Sequence, residues 1–287
     1  MSSDVDSPVS PPADPAPQRP RTWLAVDPAT LLDGLNPPQR AAVVHQGGPL
    51  LIVAGAGSGK TRVLTHRVAY LLAERGAQPG EILAITFTNK AAGEMKERVT
   101  ALVGPRAKAM WVSTFHSMCV RILRAESKSL GLKSSFSIYD ADDSKRLMTL
   151  VGRELDLDPK RYPARSLSAQ ISNLKNELVT ADTWAEQASN AHEKVLAEAY
   201  TRYQRRLLQA HALDFDDLIM STVGLLQNHP AVAEHYRRRF RHILVDEYQD
   251  TNHAQYVLVR ELTKAVGGGE PGELAVVGDA DQSIYAF

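Results

Sequence analysis

The 287-residue chain holds a single cysteine, Cys119, so no disulfide can form within it and its stability must come from packing. That usage fits a reducing compartment, and the expectation is a cytoplasmic protein. Long hydrophobic runs are also missing, since no apolar stretch reaches the roughly 18 residues of a membrane span. The first residues lack the basic stretch and apolar core of a secretory signal. Charge of one sign is absent too: 33 Lys and Arg balance 33 Asp and Glu, with pI ≈ 7.1. That balance excludes a protein that coats nucleic acid by bulk positive charge, and leaves room for a local basic groove. What is present is a 44% hydrophobic chain, enough for a large core and two domains.

Residues 1–33 are rich in Pro, Ser, Asp and Ala and read as a disordered tail, because such a segment buries too little apolar area to offset ordering entropy. Five short apolar runs then read as buried parallel strands: Leu50–Val53, Ile82–Thr86, Met110–Ser113, His242–Val245 and Leu274–Val277. The first three alternate with helical patterns over 61–75 and 89–103, which predicts an α/β fold with a doubly wound sheet. From 114 to about 240 the spacing is helical, as in Phe115–Leu123, Asp142–Leu155, Leu167–Leu178 and Val195–Leu208. A helical domain inserted into the sheet domain explains this. The division expected is 34–119 and 213–287 for the sheet domain, with 120–212 as an all-helical insertion.

Directly after the first strand comes Ala54-Gly55-Ala56-Gly57-Ser58-Gly59-Lys60-Thr61. Glycines let backbone N–H groups turn inward around phosphate oxygens, Lys60 can neutralise the β- and γ-phosphates, and the Thr61 hydroxyl can ligate Mg²⁺. The helix from Arg62 onward would aim its positive N-terminus at the anion. Ala54 departs from the glycine that usually opens this loop. A second strand ends in Asp246-Glu247-Tyr248-Gln249-Asp250, putting carboxylates where ligands bind a parallel sheet. Asp246 suits the metal, and Glu247 suits orienting and deprotonating a water. A third strand leads into Gly278-Asp279-Ala280-Asp281-Gln282, whose Gln282 amide could touch a γ-phosphate. Upstream, Asn36-Pro37-Pro38-Gln39 opens a helix, and the Gln39 amide could read adenine or simply belong to an ordinary capped helix.

Four such elements in this order resemble the superfamily 1 helicases of the UvrD/PcrA/Rep group. Ile85-Thr86-Phe87-Thr88-Asn89-Lys90, Ser113-Thr114-Phe115-His116-Ser117 and Leu213-Asp214-Phe215-Asp216-Asp217-Leu218 match further segments of that group. The resemblance runs from about residue 34 to the last. It implies a P-loop RecA-like sheet flanked by helices, with the insertion as accessory domain, and an ATP- and Mg²⁺-dependent 3′-to-5′ motor on single-stranded DNA and duplex junctions, in repair or replication. By the same resemblance, Gln39 and residues 54–62, including Arg62, bind nucleotide. Lys60, Glu247 and Gln282 are catalytic, and Thr61 and Asp246 hold the metal. Thr86, Phe87, Asn89, Phe115, His116, Tyr285 and Phe287 contact DNA. Aromatics just beyond strand ends also suit sequence-tolerant stacking on bases.

Lysines and arginines dispersed in the insertion, Lys175 among them, read as a solvated face in preference to a duplex- or strand-facing surface, and the run Arg237–Arg241 reads as a solvated helix end in preference to a DNA clamp. Family members continue beyond the point matching Phe287 into a second motor domain that supplies arginine fingers. The expectation is therefore binding of ATP and weak binding of single strand by these residues, with little turnover and no unwinding. A P-loop ATPase that does not act on DNA, a non-catalytic DNA-binding remnant and an RNA helicase are the competing readings. The Asp-Glu-Tyr-Gln string, unlike the Asp-Glu-Ala-Asp of many RNA helicases, favours DNA.

Overall fold

The computed structural model describes residue 27, residues 30–55 and residues 57–279. Residues 1–26 of the expected tail, and Ala56, Gln282, Tyr285 and Phe287, lie outside the described residues. The tail boundary at 33 is corrected: Leu31 is buried beside Leu64 and Val68, and its carbonyl accepts from the His66 ring at 2.8 Å.

The first helix, α1 (Pro37–Val44), starts at a capping box in which Asn36 and Gln39 satisfy each other's backbone N–H groups. Strand β1 (Leu50–Val53) leads through the glycine loop into α2 (Lys60–Ala73). Next come β2 (Ile82–Thr86), α3 (Asn89–Val103), β3 (Trp111–Thr114) and α4 (Phe115–Ala125). β3 begins and ends one residue later than its apolar run suggests. Every residue of β2 is buried, on both faces of the sheet, which is why it reads as continuous Ile-Leu-Ala-Ile rather than as alternation.

The chain then makes β4 (Ser137–Tyr139), α5 (Ala141–Glu154), α6 (Ala164–Asn176), α7 (Ala181–Gln187), α8 (Ala191–Gln209) and β5 (Ala212–Asp214). β4 and β5 pair in parallel, so the expectation of a purely helical insertion is corrected. Met148, Val151, Leu167, Ile171, Leu196, Tyr200, Tyr203 and Leu207 form this region's own core. The expected boundary at 120 falls inside α4, whose Cys119, Ile122 and Leu123 pack with the main sheet instead. After α9 (Phe215–Asn228) and α10 (Pro230–Arg239), β6 (His242–Val245), α11 (His253–Thr263) and β7 (Glu273–Gly278) complete the described chain.

The main sheet has the order β1-β7-β6-β2-β3, and every pairing is parallel. Right-handed crossovers decide which face each helix covers. Connections running from β1 toward β3 place α2 and α3 on one face, where Leu64, Val68, Met95 and Val99 meet Ile82, Ala84 and Leu244. The returning connections place α4, α9 and α11 on the other, where Met118, Leu218 and Leu258 meet Leu83, Ile85, Ile243 and Val245. The fold is thus α/β, RecA-like, with a mainly helical insertion. Burying one such Leu or Ile side chain stabilises the fold by about 1.5–3 kcal/mol.

One buried cation locks α1 onto α2. Arg67 is 2% exposed, donates to the carbonyls of Ala42 and His45 at 3.0 Å, and faces Glu273 at 3.6 Å. These are the free carbonyls at the end of α1, so a side chain from the next helix satisfies them. The Arg237–Arg241 run is not one solvated end. Arg238 pairs with Glu234 on the surface, but Arg237 reaches the buried Glu261 at 3.1 Å and Arg239 lies over the Trp111 ring.

Candidate functional site

Because the sheet is all parallel, the C-terminal ends of its strands share one edge, and nearly every residue singled out from the sequence follows such an end. Val53 is level with Gly278, Val245 with Ile85, and Thr86 with Thr114. Residues more than 200 positions apart are thereby neighbours.

The glycine loop leaves β1 with the Ala54 N–H bonded to the Gly278 carbonyl at 3.2 Å. Gly59 is the N-cap of α2 at φ 85°, ψ 27°, a left-handed conformation that favours glycine. A Cβ there would also sit 3.0 Å from the Gln39 amide nitrogen. No side chain caps α2, and its first turn carries no acid. Its leading N–H groups, joined by Lys60, therefore form a site for an anion. Gln39 accepts from the Asn36 N–H and donates to the Ser58 carbonyl at 2.9 Å, joining α1 to the loop. The capped-helix reading and proximity to the loop both hold for it. The exposed Arg62 guanidinium lies against the turn at Gly34.

Lys60 pairs with Asp279 at 3.0 Å, both side chains largely buried. Thr61, Phe87, Glu94, Arg98, Asp246 and Glu247 line one cavity of ≈ 280 Å³. Burial, and then the adjacent Glu247 charge, push the Asp246 carboxyl above the usual carboxylate range, while Lys60 pulls it back. Glu247 has φ 51° and ψ 44°, a strained backbone for a residue with a Cβ, and its N–H donates to the Asp246 carboxylate at 3.0 Å. Gln249 donates to the Glu247 carboxylate at 2.7 Å and accepts from the Asp279 N–H at 2.9 Å. The Thr61 hydroxyl and Asp246 carboxylate are hard oxygen donors of the kind Mg²⁺ takes, and two protein ligands suffice when phosphates supply others.

Beyond β2 and β3 lies a second surface. Thr88 caps α3 and leaves Asn89 and Lys90 exposed at its start. Thr114 caps α4, which places the half-buried His116 on its first turn. Burial lowers the His116 pKa, which favours the neutral ring. Phe87 is half-buried and meets Phe115 edge-to-face at 5.6 Å. The expected DNA contact by Phe115 is corrected: its ring is 2% exposed and belongs to the core. Thr86 is 1% exposed and its hydroxyl is committed to the Thr88 carbonyl, so its side chain is not a contact surface either.

On this surface Phe215 is exposed, at 47%, and packed edge-on to His116 at 5.4 Å. Sequence reasoning quoted its segment without assigning it a role. The usable signal was a large apolar residue flanked by Asp214 and Asp216. Its neighbours are structural: Lys175, 1% exposed, binds Asp214 at 2.7 Å and Asp217 at 2.8 Å, and the Tyr203 hydroxyl donates to Asp214 at 3.0 Å. The reading of Lys175 as part of a solvated face is corrected. Burial pushes the Asp217 carboxyl up to about 6 against the pull of Lys175.

Residues 35–287 match the model of the UvrD/REP helicase N-terminal domain. The chain is 65% identical over 263 residues to ATP-dependent DNA helicase UvrD1 of Mycobacterium tuberculosis, covering 90% of this chain and 34% of that relative. It is 62% identical over 270 residues to UvrD1 of Mycobacterium leprae, with the same coverage. It is 52% identical over 257 residues to ATP-dependent DNA helicase PcrA of Bacillus subtilis, again covering 90% and 34%. The chain thus spans about a third of the length of these relatives. With the glycine loop, the Asp-Glu strand end and the parallel sheet in register, the match identifies this chain as a member of the UvrD/REP helicase family, carrying its N-terminal domain.

Proposed function

We propose that the chain is the N-terminal motor portion of an ATP-dependent 3′-to-5′ DNA helicase or translocase that acts on single-stranded DNA and duplex junctions in repair or replication. The observation that carries this is the convergence of Lys60, Thr61, Asp246 and Glu247 at one sheet edge, with Thr61 and both acids around a single cavity. In this reading the cell compartment is the cytoplasm, at the nucleoid.

The α2 N–H groups and Lys60 receive the β- and γ-phosphates of ATP, and Lys60 exchanges its Asp279 partner for phosphate oxygen. Thr61 and Asp246 hold Mg²⁺, which when bound offsets phosphate charge. Glu247 orients the attacking water and accepts its proton. Gln39 lies beside the loop at Ser58, where its amide serves as the base-side contact, and Gln282 reports the γ-phosphate. DNA crosses the second surface: the N-termini of α3 and α4 meet backbone phosphates with Asn89, Lys90 and His116, while Phe87 and Phe215 offer rings to bases. Tyr285 and Phe287, outside the described residues, are assigned base contacts by the resemblance alone.

The test is equilibrium binding of ATP with Mg²⁺ and of a fluorescent oligothymidylate to the chain and to Lys60→Ala. The expected result is loss of nucleotide affinity with DNA affinity retained. Nucleotide affinity unchanged in Lys60→Ala overturns the pocket, and no salt-sensitive DNA binding by either protein favours an ATPase that does not act on DNA.

A further inference from the structure

We propose that Gln249 is a positioning residue that sets the carboxylate of Glu247 and ties it to the end of β7; this rests on Glu247 acting on water as proposed above. The orientation of the Gln249 amide has one chemical solution. The Asp279 N–H can only donate, so it must face Oε1, at 2.9 Å. That leaves Nε2 to donate to the ionised Glu247 carboxylate, which only accepts, at 2.7 Å. The side chain runs close against β7: a Cβ at Gly278 would stand 3.4 Å from the same Oε1.

Glu247 needs such a support. Its left-handed backbone, φ 51° and ψ 44°, persists only where surrounding contacts over-determine it. Those contacts are the Asp246 carboxylate on its N–H at 3.0 Å, the turn bond from the Asp250 N–H to its carbonyl at 3.0 Å, and the Gln249 amide on its carboxylate. Asp279, at the other end of the amide, pairs with Lys60 at 3.0 Å. Lys60, Asp279, Gln249 and Glu247 thus stand in series, from the phosphate end of the site to its base. Gln249 touches no reacting atom. It joins the residue that moves the proton to the strand end that answers the phosphate-binding lysine.

Gln249→Glu separates positioning from folding. It keeps the acceptor for Asp279 and replaces the donor with an oxygen that repels the Glu247 carboxylate. Single-turnover cleavage of ATP by excess protein is expected to fall about 10- to 100-fold, as for misplacement of a reacting group by a fraction of an ångström. ATP affinity should stay within about twofold, a split that mere unfolding does not produce. The bridge is also read without turnover. In chain labelled with ¹⁵N-glutamine, the Gln249 carboxamide signal is assigned by its loss in Gln249→Glu. It should shift in Glu247→Ala. Cleavage by Gln249→Glu at the parent rate, or an unmoved carboxamide signal in Glu247→Ala, overturns the proposal while leaving the pocket intact. Full ATP affinity in Lys60→Ala strikes instead at the pocket on which it rests.

Discussion

Lys175→Met removes the one cation from a buried cluster and leaves two carboxylates facing each other. The ammonium sits 2.7 Å from Asp214 and 2.8 Å from Asp217, with its side chain 0% exposed. At an effective dielectric of about 20, a unit pair with charge centres about 4 Å apart gains roughly 4 kcal/mol, so two such attractions disappear. Against this stand the desolvation of the ammonium, which the variant no longer bears, and protonation of one acid, toward which burial already pushes Asp217. The balance expected for stripping one partner from a buried pair is a loss of about 3–5 kcal/mol. At roughly 2–4 °C per kcal/mol for a domain of this size, the melting temperature should fall by about 6–20 °C. Urea unfolding followed by tyrosine and tryptophan fluorescence gives the free energy directly. Adding Asp214→Asn and Asp217→Asn to Lys175→Met should recover part of the loss, because uncompensated charge is its main cause. A loss under about 1 kcal/mol, or no recovery in the triple variant, refutes the reasoning.

The Asp217 carboxyl, held up at about 6, binds a proton on folding between its ordinary value and that one, so its contribution favours the folded state in acid and is lost as pH rises through this window. Asp217→Asn should therefore grow more favourable relative to the parent between pH 4 and pH 7 in urea titrations; a difference flat with pH removes the assignment. Phe215→Ala should weaken oligothymidylate binding by about 1–3 kcal/mol with the salt slope unchanged. Lys90→Ala, at the exposed start of α3, should instead lower the slope of log K against log salt by about 0.7. Fluorescence anisotropy across a salt series reads both, and the reverse pattern would exchange the two roles.

The five strands of the main sheet were legible as short apolar runs, and in Leu83–Ile85 and Ile243–Val245 that run marks burial on both faces. β1 is the exception to the expected burial, since Leu51 and Val53 are exposed. The glycine loop and the Asp-Glu pair were legible because each directly follows an apolar run. β4 and β5 were not, since three residues are too few for any period to register. Lys175 read as part of a solvated face, and nothing in the local sequence marked Arg67 as buried. Their burial depends on Asp214 and Asp217 some 40 positions downstream, and on carbonyls at the end of α1, partnerships that no local pattern carries. Phe115 and Phe215 each open a helix after a short strand in the fold, and nothing local to the sequence says which ring is exposed. Packing separates them: the Phe115 ring enters the space under Phe87, and the Phe215 ring emerges beside His116.

The most direct measurement is a double-mutant cycle on Mg²⁺-dependent ATP affinity by calorimetry, with Thr61→Ala and Asp246→Asn singly and together. If the two side chains share one metal at one triphosphate, either single change forfeits most of the effect, and the double variant binds barely more weakly than each, a coupling of at least about 1 kcal/mol. Losses that simply add would mean that the glycine loop and the Asp-Glu strand end serve separate sites.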